Sequence, residues 1–397
     1  MITQDQLKYI IDDQANATRS VNLIPRLRPE LPETKRITMV TGVRRCGKST
    51  YVKQLFRETS ISLIINFEDP RLEGFEVNDF YKLEKIAQDQ GKTQFIFDEV
   101  QNVAEWERYV RSANEMGIKI YITGSNASML SREMGTKLTG RYRQMELFPF
   151  EYMEYLLFRN QSPGVDSFRN YLYEGGFPEF LEEHDQDYLR ILLRDIVVRD
   201  IAVRRKIRNE SVLIRLAVFL ISNPGKEFSY NRLTRLLNIR SVRTTIDYCD
   251  FLQESYLIGL IPRFSYSPRQ QQGNPKKIYA VDTGLIRANT LSSSPDEGRL
   301  LENAVYLHLR RNGHTSEYFK DERSECDFIV RGSANQSIAI QVCTRIHGEN
   351  MEREIAGLKN ALVHANISKG IIITMDQEDQ LSGFPVIPAW QWFSETG

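Results

Sequence analysis

The residues of this 397-residue chain best suited to chemistry lie in one stretch, "GVRRCGKS", which runs from Gly42 to Ser49. An apolar run from Ile37 to Val40 precedes the stretch and predicts a buried strand, and a helical pattern follows it. Glycines let the backbone curl so that its N–H groups point at phosphate oxygens, and the N-terminus of the following helix adds its dipole. The spacing therefore predicts a nucleotide site.

Each residue of this stretch has a predicted role. Lys48 is expected to reach the β and γ phosphates of ATP, and Ser49 to supply a hydroxyl to Mg²⁺, which prefers oxygen ligands. The other predicted nucleotide-binding residues surround them: Gly42, Val43, Arg44, Arg45, Cys46, Gly47 and Thr50. GTP stays open as an alternative, although the chain contains no [NT]KxD motif for guanine. A chance glycine turn before a helix is the structural alternative.

Two adjacent carboxylates follow a second apolar run, Phe95 to Phe97. Such a run is typical of a parallel strand covered on both faces, and open α/β sheets bind ligands beyond the carboxyl ends of their strands. Asp98 is expected to hold Mg²⁺, mainly through water, and Glu99 to polarise the attacking water. An acidic exit from a strand without catalytic function is the alternative.

Three further strands are predicted at 62–69, 119–126 and 143–150, and helical patterns between most strands indicate a mostly parallel α/β sheet. The strand at 119–126 is expected between the two motif strands, so that Ser125 or Asn126 senses the γ phosphate. Either residue is equally suited to cap the helix that follows.

Arg141, in "LTGRYR", is a candidate for stabilising the charge of the transition state. It is expected to act either within its own site or across a subunit boundary of a homo-oligomer. An arginine on the surface without this role is the alternative interpretation.

The chain resembles the AAA+-type ATPases of bacteria and archaea in which a P-loop core is followed by a winged helix and a nuclease-like C-terminal domain. The motifs that carry the resemblance are "PRLRPEL", "TGVRRCGKST", "INFEDPRL", "FIFDEVQNV", "ITGSNASML", "LTGRYRQMELFPFEYMEY", "KKIYAVDTGL" and "ECDFIV". The resemblance implies an α/β AAA+-type P-loop NTPase domain over 1–160, a helical linker and winged helix over 161–285, and a restriction-endonuclease-like α/β domain over 286–397.

The middle of the chain is basic although the formal net charge is zero. From Arg190 to Arg243, thirteen lysines and arginines face four acids, which indicates a charged partner. Two helical patterns joined by a short turn, then a hairpin, predict a winged helix. Arg240, Arg243 and Thr244 begin the second helix, where such domains contact DNA. Packing between domains is the alternative function.

From Gly298 onward the pattern predicts a helix, three strands, a helix and a strand. That order resembles a restriction-endonuclease-like fold. Active members of that fold surround Mg²⁺ with a helix glutamate, a strand aspartate and an acid-x-lysine pair. Glu302 and Asp327 match the first two positions, but Gln341 and Cys343 occupy the other two. Gln341 offers a hard dication no charge, and Cys343 cannot supply the cation of a lysine. An inactive nuclease-like domain is therefore expected.

The remaining predictions concern location and rival functions. The chain contains no apolar run long enough to cross a bilayer, its N-terminus has no signal-peptide pattern, and its four cysteines form no CxxC pair. A cytoplasmic protein without a membrane partner is expected. The predicted function is a Mg²⁺-dependent ATPase that rearranges the following domains; the alternatives are an ATP-gated DNA-binding regulator, an ATP-dependent nuclease and a non-enzymatic scaffold.

Overall fold

The computed structural model describes residues 2–21, 23–27, 36–124, 142–185, 187–290, 296–332 and 337–395. The chain forms two compact units, Met1–Phe148 and Pro149–Gly397. Three residues predicted to take part in the site, Ser125, Asn126 and Arg141, lie outside the described ranges. The two units are therefore considered separately.

The described part of the first unit contains one parallel sheet. Its strands are β1 (Ile37–Gly42), β2 (Ser62–Asn66), β3 (Gln94–Asp98), β4 (Lys119–Thr123) and β5 (Tyr142–Leu147). They pair in the order β2-β3-β4-β1-β5, and every pair is parallel. The prediction that β4 lies between the two motif strands is confirmed. Because parallel strands end at the same edge of a sheet, the ends of β1, β3 and β4 lie together.

Helices cover both faces of this sheet. They are α1 (Gln4–Ser20), α2 (Lys48–Glu58), α3 (Phe80–Asp89) and α4 (Trp106–Glu115), with short 3₁₀ turns at Pro70–Leu72, Val77–Asp79 and Val100–Asn102. Buried side chains of α1, α3 and α4 form one core with alternate residues of β1 to β4. In this core the rings of Phe80 and Tyr109 stack with centroids 4.2 Å apart. Helix α2 contacts the same strands but adds nothing to that core, so it covers the opposite face.

The second unit begins with helices. They are α5 (Tyr152–Arg159), α6 (Val165–Glu174), α7 (Pro178–Glu183), α8 (Tyr188–Asp195), its π-helical continuation Ile196–Val203, and α9 (Glu210–Ile221). The chain makes a close crossing at Gly175 and Gly176, between α6 and α7. A Cβ on Gly176 would lie 2.1 Å from the Phe150 carbonyl oxygen, and the Gly176 N–H donates to Asp282 at 2.6 Å. The crossing therefore requires glycine there.

The segment from Glu227 to Asn289 contains four helices and a small antiparallel sheet. Its elements are β6 (Glu227–Phe228), α10 (Tyr230–Leu236), α11 (Val242–Glu254), β7 (Ile258–Pro262), α12 (Pro268–Gly273), β8 (Lys276–Ala280) and α13 (Thr283–Asn289). The strands pair in the order β6-β8-β7. The helix pair and the hairpin are present as predicted. Helix α12 was not predicted: Ser267 caps it and Pro268 occupies its first turn.

A mixed sheet forms the rest of the second unit. Its elements are α14 (Glu297–Arg311), β9 (Thr315–Lys320), β10 (Glu325–Arg331), β11 (Ile338–Val342), α15 (Met351–Ala365), β12 (Lys369–Thr374), β13 (Asp379–Leu381), β14 (Phe384–Pro388) and α16 (Ala389–Glu395). The strands pair in the order β13-β14-β12-β11-β10-β9. The elements up to β12 were predicted, whereas β13, β14 and α16 were not. Across the described ranges, no helix is both long and apolar enough to span a bilayer.

Candidate functional site

Two glycines shape the loop between β1 and α2. Gly42 has φ +152° and Gly47 has φ +97°, and Arg45 between them has φ 65°. A Cβ on Gly42 would lie 2.0 Å from the Leu147 carbonyl oxygen, and a Cβ on Gly47 would lie 2.8 Å from the guanidinium of Arg26. Gly42 therefore has no room for a side chain, and the positive φ of Gly47 is a conformation that favours glycine, which explains the spacing in the sequence.

Lys48 begins α2 with its side chain turned back into the loop. Its side chain is buried, with the whole residue 6% exposed. The Nζ atom donates to the carbonyl oxygens of Gly42 at 3.1 Å and Val43 at 3.0 Å. Because Gly47 is the N-cap of α2, no capping side chain covers the first N–H groups of the helix, and helix N-termini of this kind bind anions. The ammonium and these N–H groups lie at the same end of α2.

Arg26 stabilises the loop by hydrogen bonding to its backbone, a role that the sequence alone did not indicate. Its guanidinium is buried and donates to the carbonyl oxygen of Cys46 in the loop and to that of Phe148 at 2.7 Å. Cys46 itself is buried, with its Sγ atom 3.3 Å from the Leu147 carbonyl oxygen. Arg26 belongs to the "PRLRPEL" motif, but the motif alone does not indicate that Arg26 contacts the loop.

Asp98 lies at the end of β3, close to the loop. Its Oδ1 atom accepts a hydrogen bond from the Ser49 hydroxyl at 3.3 Å and another from the Thr123 hydroxyl. The residue is 2% exposed. Burial raises the pKa of the Asp98 carboxyl, while the bond from Thr123 acts against this shift. The structure therefore brings together the hydroxyl and the carboxylate that were predicted to hold Mg²⁺.

Glu99 follows directly in an uncommon backbone conformation. Its φ of 52° lies in the left-handed region, which non-glycine residues adopt at some cost in free energy. The Thr123 hydroxyl accepts the Glu99 N–H at 3.0 Å, and the Gln101 amide donates to the Glu99 carboxylate. Unlike Asp98, Glu99 is partly exposed. Thr123, at the end of β4, thus fixes both acidic residues, a role that the sequence analysis missed.

The oxygen donors of this site fit a hard divalent cation. A serine hydroxyl 3.3 Å from a carboxylate oxygen supplies the ligand types that Mg²⁺ takes in nucleotide sites, where phosphates and water complete the set. No cluster of three or more acidic, histidine or cysteine side chains is placed to hold a metal ion in the described ranges. A metal at the loop would therefore depend on a nucleotide for its other ligands.

Three of the four nuclease-like positions line one cleft in the second unit. Asp327 and Cys343 line a cleft of about 540 Å³ together with Gln341 and Glu354. The Gln341 amide donates to Glu354 at 2.6 Å, and burial raises the pKa of the Cys343 thiol to about 12. Asp327 accepts the backbone N–H of Val342 at 3.0 Å. Cys343 is therefore a neutral thiol near pH 7.

The predicted DNA-contacting residues lie at the N-terminus of α11. Arg240 and Arg243 are exposed, and Thr244 is half-buried. Arg243 pairs with Asp247 one turn later, with 3.1 Å between the nitrogen and oxygen atoms. Ser241 caps the helix by accepting the Thr244 N–H at 3.1 Å. Two guanidinium groups are thus presented to solvent beside a helix N-terminus.

The parallel sheet, the loop bounded by glycines and the carboxylate beside it define the first unit as a P-loop nucleotide-binding domain. A family model described as an AAA domain matches residues 34–156. A second, described as a domain of unknown function (DUF8612), matches residues 165–296. The first unit is accordingly an AAA-type domain.

Two relatives match nearly the whole chain. An uncharacterized protein of Methanocaldococcus jannaschii is 31% identical over 395 residues, covering 90% of this chain and 88% of the relative. An uncharacterized protein of Haemophilus influenzae is 29% identical over 387 residues, covering 91% of this chain and 95% of the relative. The chain therefore belongs to the same AAA-domain family as the M. jannaschii protein.

The solved structures include a distant neighbour. The crystal structure of Cdc6p from Pyrobaculum aerophilum is 12% identical and covers 72% of this chain and 91% of that chain, with a TM-score of 0.22. This likeness is too weak to support a conclusion about fold or function.

Proposed function

We propose that this protein is a cytoplasmic, Mg²⁺-dependent ATPase that couples hydrolysis to a rearrangement of its second unit. The observation that supports this most is the Ser49 hydroxyl 3.3 Å from the buried Asp98 carboxylate, beside a loop whose two glycines both have positive φ. All four cysteines are free, which fits a reducing compartment.

Phosphate binding follows from the groups in the loop. Lys48 exchanges its two carbonyl contacts for β and γ phosphate oxygens, which form stronger, charge-assisted hydrogen bonds. The backbone N–H groups from Gly42 to Thr50 and the dipole of α2 add further attraction for anions. Mg²⁺ held by Ser49 and Asp98 neutralises phosphate charge when the nucleotide is bound.

Hydrolysis needs a group that orients water, and Glu99 is proposed for it. Its carboxylate is partly exposed, whereas that of Asp98 is buried, so the two acids suit different roles. Thr123 contacts both residues and holds them in register. We further propose that Ser125 or Asn126 senses the γ phosphate. Arg141 is proposed to stabilise the charge of the transition state, either within its own site or across a subunit boundary of a homo-oligomer.

Release of phosphate from ATP by the full chain tests the proposed activity. We expect saturable release in the presence of Mg²⁺, because phosphate and protein ligands together complete the metal site. EDTA should stop the release, and GTP should be a poorer substrate. Release that is undetectable under single-turnover conditions with excess protein would favour the non-enzymatic scaffold instead.

The second unit is proposed to contain a winged helix within 161–285 and a nuclease-like domain within 286–397. The pair of α10 and α11 followed by the β7–β8 hairpin supports the first assignment. The mixed sheet with α14 and α15 supports the second. The neutral Cys343 thiol and the Gln341 amide bonded to Glu354 support the proposal that this domain is inactive as a nuclease.

DNA binding gated by ATP is a second candidate function, favoured by the exposed Arg240 and Arg243 at the start of α11. We expect duplex DNA to bind at low salt and affinity to fall as salt rises, because bound phosphates release counterions. Replacing both arginines by alanine should weaken binding and reduce the slope of log K against log salt by about 1 per arginine. Fluorescence anisotropy with and without ATP measures both quantities.

A matched control is Arg108→Ala in the first unit. Arg108 is exposed and pairs with Glu105 on its own helix at 2.7 Å, as Arg243 pairs with Asp247. Its loss should leave DNA affinity unchanged. A salt slope that is the same in all three proteins, or no binding at low salt in either nucleotide state, would rule out this candidate.

A further inference from the structure

A buried lysine lies at the centre of the acidic residues of the second unit. The Lys277 ammonium on β8 contacts Glu302 of α14 at 3.0 Å, Glu325 of β10 at 2.8 Å and Asp327 of β10 at 2.9 Å. Its side chain is 2% exposed. These four residues are here called the Lys277 cluster. Three carboxylates from two separate elements thus converge on one cation.

The carboxylates of this cluster are held by other donors as well. The second oxygen of Asp327 accepts the Val342 N–H at 3.0 Å. Glu302 accepts the Tyr279 hydroxyl at 2.7 Å. Although burial acts to lower the pKa of Lys277, the Asp327 and Glu302 charges raise it well above its usual value. The lysine is therefore charged, and the cluster is arranged around a cation.

The ammonium lies among carboxylates, the type of side chain that binds divalent cations. Glu302 and Asp327 are the carboxylates that the sequence placed in a metal centre, and three carboxylates are a suitable set of hard ligands for such an ion. Within the residues that the structure describes, no group of acidic side chains is positioned to hold a metal. This agrees with a cluster whose cation is supplied by the chain itself.

We propose that Lys277 is a built-in counter-cation that closes the Glu302–Glu325–Asp327 centre to divalent metal ions and joins the β7–β8 hairpin to the six-stranded sheet. The centre is an autoinhibited cation site: movement of the hairpin that withdraws Lys277 exposes three carboxylates to a metal. Nucleotide is not required for this exchange.

Neutral contacts keep the hairpin in place when the ammonium is absent. The Asn303 side chain exchanges two hydrogen bonds with the backbone of Ala280, at 2.8 and 3.0 Å. The rings of Tyr279 and Tyr306 stack with centroids 4.4 Å apart. A Lys277→Met variant therefore retains two neutral anchors on the same strand, at Tyr279 and Ala280. Methionine is unbranched and one heavy atom shorter than lysine, and it lacks the ammonium group.

Binding of Tb³⁺, a hard oxygen-seeking cation, to the nucleotide-free full chain tests the proposal. Tyr279 touches Glu302 and can sensitise the luminescence of Tb³⁺ bound there. Wild type should show only weak, non-saturating emission. K277M should show a saturable site with a dissociation constant on the order of 10⁻⁵ to 10⁻³ M, in the range of carboxylate sites, and Mn²⁺ should compete for it.

Lys320→Met is the matched control, because Lys320 pairs with the same Glu325 at 3.0 Å but is partly exposed. It should show no saturable site, and adding E302Q to K277M should abolish the one gained. A saturable site in wild type that is lost on D327N, or a folded K277M without any site, would overturn the proposal.

A second measurement covers the case in which K277M folds but is too unstable for a Tb³⁺ titration. The K277M/E302Q pair removes a negative charge together with the positive one. It should melt at a higher temperature than K277M, because K277M leaves three carboxylates uncompensated. Equal melting temperatures would contradict a counter-cation role for Lys277.

Discussion

Replacing Lys48 by alanine is expected to reduce ATP turnover by at least about a hundredfold, a loss typical of removing one positioned charge from a transition state. The Lys48 ammonium is the buried cation at the mouth of the loop, 3.0 to 3.1 Å from two loop carbonyls. In the alanine variant no positive charge would offset the repulsion between those carbonyl oxygens and the phosphates of ATP. Steady-state phosphate release and binding of a fluorescent ATP analogue measure the two consequences, lost turnover and weakened binding.

Lys85→Ala controls for the loss of a lysine from a helix of the same unit. Lys85 lies on α3 and is exposed, so its replacement should change neither measurement. Turnover by the Lys48 variant within about twofold of wild type would refute the role of the loop in phosphate transfer, since even one lost charge contact exceeds that effect.

The second large effect is expected from Glu99→Gln, which should preserve ATP binding and lower turnover by about 10² to 10⁴. Glutamine keeps the size of the side chain but does not accept a proton from the attacking water. The Thr123 contact to the Glu99 backbone is retained, so the loop and Asp98 keep their positions. Single-turnover hydrolysis and analogue binding together separate the loss of chemistry from a loss of affinity.

Glu105→Gln is a close control for this variant. Glu105 also has a positive φ, 56°, at the start of a helix, but its side chain pairs with Arg108 at the surface. Normal turnover in this control shows that the amide itself is tolerated. Loss of ATP binding by the Glu99 variant would indicate that Glu99 supports the structure of the site rather than the reaction.

The local parts of the nucleotide site were predictable because they are encoded in contiguous sequence. One apolar run is followed by a loop bounded by glycines, and a second apolar run is followed by two acidic residues. These patterns predict where two strands end and which groups follow them. The order of β1, β3 and β4 was also predictable, because β4 had to bring its end to the same edge. Each of these inferences needs only one segment of chain and one rule of sheet geometry.

The residues that the sequence analysis missed act on partners far along the chain. Arg26 contacts Phe148, and Lys277 contacts Asp327. The pair Lys276–Lys277 is typical of an exposed, charged hairpin. Alternation along β8 instead turns Lys277 inward while Lys276 remains half-buried. Polarity alone does not reveal which of two neighbouring lysines meets a carboxylate, because that choice is made by tertiary packing.

The contacts of Arg26 connect the nucleotide loop to the end of the first unit. The planar guanidinium of Arg26 donates hydrogen bonds to the carbonyl oxygen of Cys46 inside the loop and to that of Phe148. Phe148 is the last residue of the first unit. Because the guanidinium group is rigid and its donors have a fixed geometry, neither hydrogen bond can lengthen much without breaking. A movement of the Cys46 peptide on triphosphate binding would therefore either break one of these hydrogen bonds or displace the Phe148 peptide. Phe148 lies where the chain leaves the sheet, so the displacement would reach that point first.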